Sequence, residues 1–170
     1  MKKNITKGLA VLLSVALLAC FPVVASAAET TEARVPVTLT VINTERPISV
    51  TVPAALPVSV VDGEVLVANN AKITNNAKTG SVQVTGVLVE DGSLTVANFD
   101  SFKGDDNTIA LSINSCGTKG AGELDISEDY FPDIEPGKSL PIHYHAKVAV
   151  SQTMKDATAA TVIFTIASVD

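Results

Sequence analysis

The pattern of apolar and polar positions is mostly of period two. Val35, Val37, Leu39 and Val41 alternate with Pro36, Thr38 and Thr40, and Ile48, Val50 and Val52 alternate with Ser49 and Thr51, the signature of half-buried strands. Asp62-Gly63 separates the strand-like Val58-Ser59-Val60-Val61 from Glu64-Val65-Leu66-Val67. Asp91-Gly92 separates Val87-Leu88-Val89-Glu90 from Ser93-Leu94-Thr95-Val96 in the same way. Each dipeptide suits the positive φ angles of a type I′ turn, so two tight hairpins are expected. Within 81–90 the apolar phase changes from Val82 and Val84 to Val87 and Val89, and a bulge at Gly86 would re-aim the later side chains. Residues 108–114, 140–150 and 160–169 complete the strands. In the last, Val162, Phe164 and Ile166 alternate with Ile163, Ala167 and Val169, as in a central strand covered on both faces. Pro36, Pro53, Pro57 and Pro141 suit strand starts and edges.

No amphipathic helix of about a dozen residues follows the N-terminal segment, which excludes βαβ architectures. The expected fold is all-β: a two-sheet antiparallel β-sandwich of about nine strands, with Greek-key or jelly-roll connections. The absence of tryptophan and of a cysteine pair removes the hallmarks of an antibody-type domain.

The first 27 residues read differently. Lys2, Lys3 and Lys7 precede an apolar run over 9–19, and Ala25-Ser26-Ala27 supplies a small-residue cleavage site, so this is a secretory signal cut after Ala27. Retention as an anchor is disfavoured, because the run falls short of the ~20 residues a spanning helix needs and Pro22 interrupts it. Lipidation is the alternative, since Leu17-Leu18-Ala19-Cys20 is similar to a lipobox that would anchor the chain through Cys20. Residues 28–34 read as a flexible polar leader and 35–170 as one domain.

Export changes the charge balance. The signal holds three of the twelve basic residues and none of the eighteen acidic ones, which leaves a formal −9. Such a surface repels phosphate backbones and anionic lipid, so nucleic acid is not an expected partner. Cys116 is then the only cysteine, so no internal disulfide is possible. A chain of this size buries roughly two thirds of its unfolded surface and holds together without one. An intermolecular disulfide through Cys116 is the sharper alternative to a partly shielded thiol.

The candidate chemistry is sparse. His143 and His145 share one face of a strand about 7 Å apart, near enough for one metal. However, Ile142, Tyr144, Ala146 and Val148 form the inward set, which leaves the histidines outside beside cationic Lys147. The acidic loops invite calcium. One holds Asp100, Asp105, Asp106 and Asn107. The other holds Glu128, Asp129, Asp133 and Glu135, with Phe131, Pro132 and Pro136 able to pin its backbone. Neither has the spacing of an EF-hand loop, and solvated acidic surface is the plainer reading. No serine sits in a nucleophile elbow, and six aromatics after the signal give little to desolvate a catalytic carboxylate. Neither an enzyme nor a cofactor is expected.

Several strings, Val50-Thr51-Val52-Pro53-Ala54-Ala55-Leu56-Pro57-Val58-Ser59-Val60, Ile73-Thr74-Asn75-Asn76-Ala77 through Gly80-Ser81-Val82-Gln83-Val84, and Ala160-Thr161-Val162-Ile163-Phe164-Thr165-Ile166, resemble patterns in small exported surface proteins of Gram-positive bacteria. In size class and layout the chain also resembles the TasA and camelysin group of biofilm-matrix proteins. That resemblance implies a jelly-roll domain and polymerisation in which an N-terminal strand is lent to the next subunit. It assigns no functional residue.

Two functional classes follow. The first is a secreted or cell-surface structural or adhesive module, a matrix or fibre subunit that self-associates through the strand over 35–43. The second is an extracellular module binding calcium or a glycan through the acidic loops.

Overall fold

The computed structural model describes residues 30–41, 48–151, 154 and 157–169. The signal segment lies outside them. No helix among the described residues is long and apolar enough to cross a membrane.

The described residues form fourteen strands. In chain order these are β1 (Thr30–Val41), β2 (Val50–Thr51), β3 (Ala55–Val61), β4 (Glu64–Val67), β5 (Lys72–Asn75), β6 (Ser81–Asp91) and β7 (Thr95–Val96). They continue as β8 (Thr108–Ile113), β9 (Cys116–Gly117), β10 (Gly122–Glu123), β11 (Ser139–Pro141), β12 (Tyr144–Ala149), β13 (Ala157–Thr158) and β14 (Ala160–Val169). A seven-stranded sheet runs β10-β6-β14-β1-β3-β4, with β13 also on β1. A three-stranded sheet runs β11-β5-β2, and a four-stranded one runs β12-β8-β7 with β9 on β8. The fold is therefore all-β, as expected, but the nine-strand, two-sheet sandwich is replaced by three sheets. Pairing is mostly antiparallel, with parallel contacts of β1 to β13 and β14 and of β7 to β8.

One cause of the third sheet is a break in the segment 140–150, which sequence alone reads as one strand. At Ile142-His143 it changes partner. The Ile142 amide donates to Ala71 O at 2.8 Å, and the His143 carbonyl accepts from Asn114 N at 2.7 Å. Upstream, β11 therefore pairs with β5, and downstream β12 pairs with β8.

The turn expectations divide. Asp62 (φ 51°) and Gly63 (φ 82°) close the β3–β4 hairpin with both residues left-handed, the geometry a type I′ turn requires. Asp91-Gly92 makes no hairpin. The chain runs on beside the C-terminal strand region, with Ser93 N donating to Thr158 O at 2.8 Å and Leu94 N to Ala159 O at 3.0 Å. A Cβ at Gly92 would meet Thr158 O at 2.5 Å and Ala159 O at 2.7 Å, so glycine is required there by close backbone approach rather than by a turn. The Asp91 carboxylate accepts from Val96 N at 2.7 Å and helps turn the chain toward β7.

The bulge forms as expected. Opposite β14, the partner of Thr165 is Gly86 and that of Ile166 is Val84, leaving Thr85 as the extra residue. The result is that Val82, Val84, Val87 and Val89 are all buried despite the change of parity. Gly86 does not have a positive φ, so the bulge does not depend on a left-handed glycine.

One hydrophobic core draws on all three sheets, including Val35, Leu56, Ile73, Val89, Ile109, Leu111, Phe131, Tyr144 and Phe164. Strand β14 is central, between β6 and β1. Its core face is fully buried, while the opposite face, with Ile163 and Ala167, is half-buried. Strand β1 begins at Thr30, inside the stretch 28–34 that composition assigns to a flexible leader.

Buried polar side chains clamp the loops instead of being left unpaired. Asn75 donates through Nδ2 to Gly80 O at 3.0 Å and Ile134 O at 2.9 Å, and its Oδ1 accepts from Ala77 N at 3.0 Å. Thr118 donates to Ala97 O at 2.7 Å and accepts from Leu111 N at 3.2 Å. The Tyr144 hydroxyl donates to Pro57 O at 2.6 Å and accepts from Ala68 N at 3.0 Å, which fastens β12 to β3 and to the residue after β4.

Candidate functional site

One concave surface is organised by Asn114, the first residue of the turn joining β8 to β9. Asn114 (φ 44°) and Ser115 (φ 69°) are both left-handed, and Ile113 pairs with Cys116. Asparagine tolerates this conformation and serine does so less readily. The Asn114 side chain joins three segments. Nδ2 donates to Tyr130 O at 3.1 Å and to Pro141 O at 3.4 Å, while Oδ1 accepts from His143 N at 2.8 Å.

The segment leading to Tyr130 is held independently. Tyr130 N and Phe131 N both donate to Ser127 O, at 3.1 and 3.0 Å, and Phe131 plugs the core at 1% exposure. Ile134 then exchanges two backbone hydrogen bonds with Val82, at 2.7 and 3.1 Å. The acidic loop is thus pinned along the edge of β6, through Phe131 as expected and through Ile134 rather than the exposed Pro132.

Above Asn114 lies an open groove of about 310 Å³, whose lining includes Ser115, Asp129, Tyr130, Pro132, Leu140 and His143. Tyr130 presents its ring at 49% exposure. Two neighbouring depressions share its walls. One of about 420 Å³ holds Asp133 and Glu135 with Lys138. The other, of about 440 Å³, holds Glu128, Asp129 and Asp133.

The sequence candidates are therefore partly assembled. His143 and Asp129 share one groove, and Asp133 and Glu135 line the next. His145 lines neither and lies exposed on β12, opposite Ser112. Both histidines face outward with Tyr144 inward between them, as the alternation predicts. Among the described residues, no group of three or more histidine, cysteine, aspartate or glutamate side chains is placed to hold a metal. Calcium in particular would need about six to eight oxygens converging on one point.

In the other acidic loop, the Asp106 carboxylate accepts from Ser151 Oγ at 2.7 Å and from Asn107 N at 3.0 Å. Lys147 donates to Phe99 O at 2.7 Å and lies 4.3 Å from the centre of the Phe99 ring, a cation–π contact that turns its charge toward Phe99.

Cys116 is buried, with Sγ 3.7 Å from Asn114 O, and burial pushes its thiol pKa up. A buried, protonated thiol is a poor partner for an intermolecular disulfide.

Sequence reasoning ends a strand at Asn114 but does not identify the partners of its side chain. The only local signal is an asparagine at a strand end, and what it holds lies 16 to 29 residues further along the chain. No protein-family description, curated protein or solved structure matches this chain.

Proposed function

We propose that this chain is an exported, non-enzymatic structural protein of the cell surface or extracellular matrix that self-associates by exchanging its first strand, as the TasA and camelysin resemblance implies. The observation that supports this most is the position of β1. It occupies a slot between β3 on one side and β13 and β14 on the other, although it belongs to the N-terminal part of the chain. Withdrawing it would open edges on β3 and β14 together, and a second copy's β1 fits both with the same main-chain hydrogen bonds. Such exchange is a low-cost route to assembly, because the hydrogen bonds and apolar packing that hold the strand at home form again in the neighbour.

The grip on β1 is uneven. Residues 30–36 pair with β3 and residues 37–41 with β14. Val35 is fully buried, Val37 and Leu39 are half-buried, and Val41 is 47% exposed. A strand held in this graded way peels from its exposed end first.

Light scattering over a concentration series tests the reading. The chain beginning at Ala28 is expected to gain mass with concentration. The chain beginning at Thr44, which lacks β1, is expected not to form chains and to bind a synthetic peptide covering 30–41 one to one. A chain from Ala28 that stays monomeric at every concentration would refute the proposal. Intact mass of the exported species tests the export step: the expected N-terminus is Ala28, and an acylated Cys20 would contradict it.

A further inference from the structure

We infer that the groove over Asn114 binds the ring of a neutral saccharide, with Tyr130 as the stacking platform. Of the large apolar side chains among the described residues, only Val41, Leu66 and Tyr130 are exposed, and Tyr130 alone is aromatic. An exposed ring beside polar side chains fits a ligand with one apolar face and a polar rim. A pyranose has that shape, with C–H groups on its faces and hydroxyls around its edge.

The rim groups match it. Asp129 offers a carboxylate acceptor, Ser115 a hydroxyl that both donates and accepts, and His143 an imidazole, all lining the same groove as Tyr130. At about 310 Å³, the space lies at the small end of the roughly 300–1,000 Å³ of ligand sites and suits one or two sugar rings. Asp129 and the acidic neighbours Glu128 and Asp133 disfavour phosphate, sulfate or carboxylate ligands, which is why the saccharide is neutral.

Two features suggest a groove kept for binding. First, the Asn114 amide holds the backbones of Tyr130, Pro141 and His143 together, so the walls are in place before a ligand arrives and little ordering entropy remains to be lost. Second, Ser115 adopts φ 69°, where glycine would sit without strain. The sequence has a side chain at this position, and the residue lines the groove. This inference is independent of strand exchange, since the lining residues fall between 114 and 143 and none pairs with β1.

The test is a titration of the exported protein with cellobiose, maltose, lactose and chitobiose, read by NMR at the Tyr130 ring and the His143 imidazole. At least one disaccharide is expected to shift both sets of signals saturably, with a dissociation constant on the order of 1 mM, as befits one small open site. Tyr130 is exposed, so Tyr130→Ala should fold normally and weaken binding by about tenfold or more. Ser115→Gly is expected to raise the melting temperature and weaken binding several-fold. The inference is overturned if no disaccharide shifts either side chain, or if the shifts survive Tyr130→Ala. Unchanged affinity in Ser115→Gly overturns the role given to the hydroxyl.

Discussion

Strands β1 and β14 lie side by side in parallel at the middle of the seven-stranded sheet, yet they are held very differently. Along β14, Ala160, Val162, Phe164 and Ile166 are all 0% exposed, and the strand pairs over its whole length with β6. Along β1, burial fades from Val35 at 0% to Val41 at 47%. On the side of β1 away from β14, the β3 ladder stops at Pro36, where a proline cannot donate. Beyond it, among the described residues, only Val37 N reaches back, to Ala54 O at 3.3 Å. Two strands that look alike in sequence are thus held differently: one is buried in the core along its length, and the other passes from full burial at Val35 to exposure at Val41.

Substitutions can break this contrast. Replacing Phe164 by alanine should cost about 3–5 kcal/mol, as for a fully buried aromatic. Denaturant melts check it, and a loss under about 1 kcal/mol would show that β14 is not the fixed wall.

Tyr144 secures the opposite wall by bonding Pro57 of β3, so Tyr144→Phe, which strands Pro57 O and Ala68 N, should cost about 1–3 kcal/mol. Burial also raises the Tyr144 pKa above its ordinary 10.0. The folded state then holds the phenolic proton more tightly than the unfolded one, so stability is intact below pH 10 and falls as the pH rises through the folded pKa. Cys116, raised above 9.0 for the same reason, adds a similar loss starting lower. Alkaline melts of the wild type, Tyr144→Phe and Cys116→Ala separate the two contributions.

Smaller effects grade β1 itself. Val35→Ala should cost about 1.6 kcal/mol, from two buried methylene equivalents at roughly 0.8 kcal/mol each. Val41→Thr should fall within about 0.5 kcal/mol of neutral, like the outward His143→Ala. If Val41→Thr cost as much as Val35→Ala, β1 would not be held in a graded way.

Much of this architecture could be read from local pattern. Alternation found β1 and β14, the Asp62-Gly63 turn was specified by its own residues, and the parity change at Val84 and Val87 announced the bulge. Asp91-Gly92 shows the limit. The same dipeptide carries no turn because the backbone at Thr158 and Ala159, some 65 residues away, takes up the adjacent hydrogen bonds. Strands of two residues, such as β2, β7, β9, β10 and β13, are too short to show a period and exist only through their partners. The site was half legible for the same reason. The outward facing of His143 followed from alternation, but its meeting with Asp129 and Tyr130 depends on what the Asn114 amide joins.

Covalent trapping of β1 tests strand exchange most directly. Thr40 and Thr165 are register partners in β1 and β14, and neighbouring strands lie about 4.8 Å apart, within the Cα spacing that a disulfide spans. A chain beginning at Ala28 and carrying Thr40→Cys, Thr165→Cys and Cys116→Ala would be oxidised across a concentration series and run on non-reducing gels. Exchange predicts a ladder of covalent multimers that grows with concentration and is absent from either single-cysteine variant. A product that is intramolecularly bridged monomer at every concentration would contradict it.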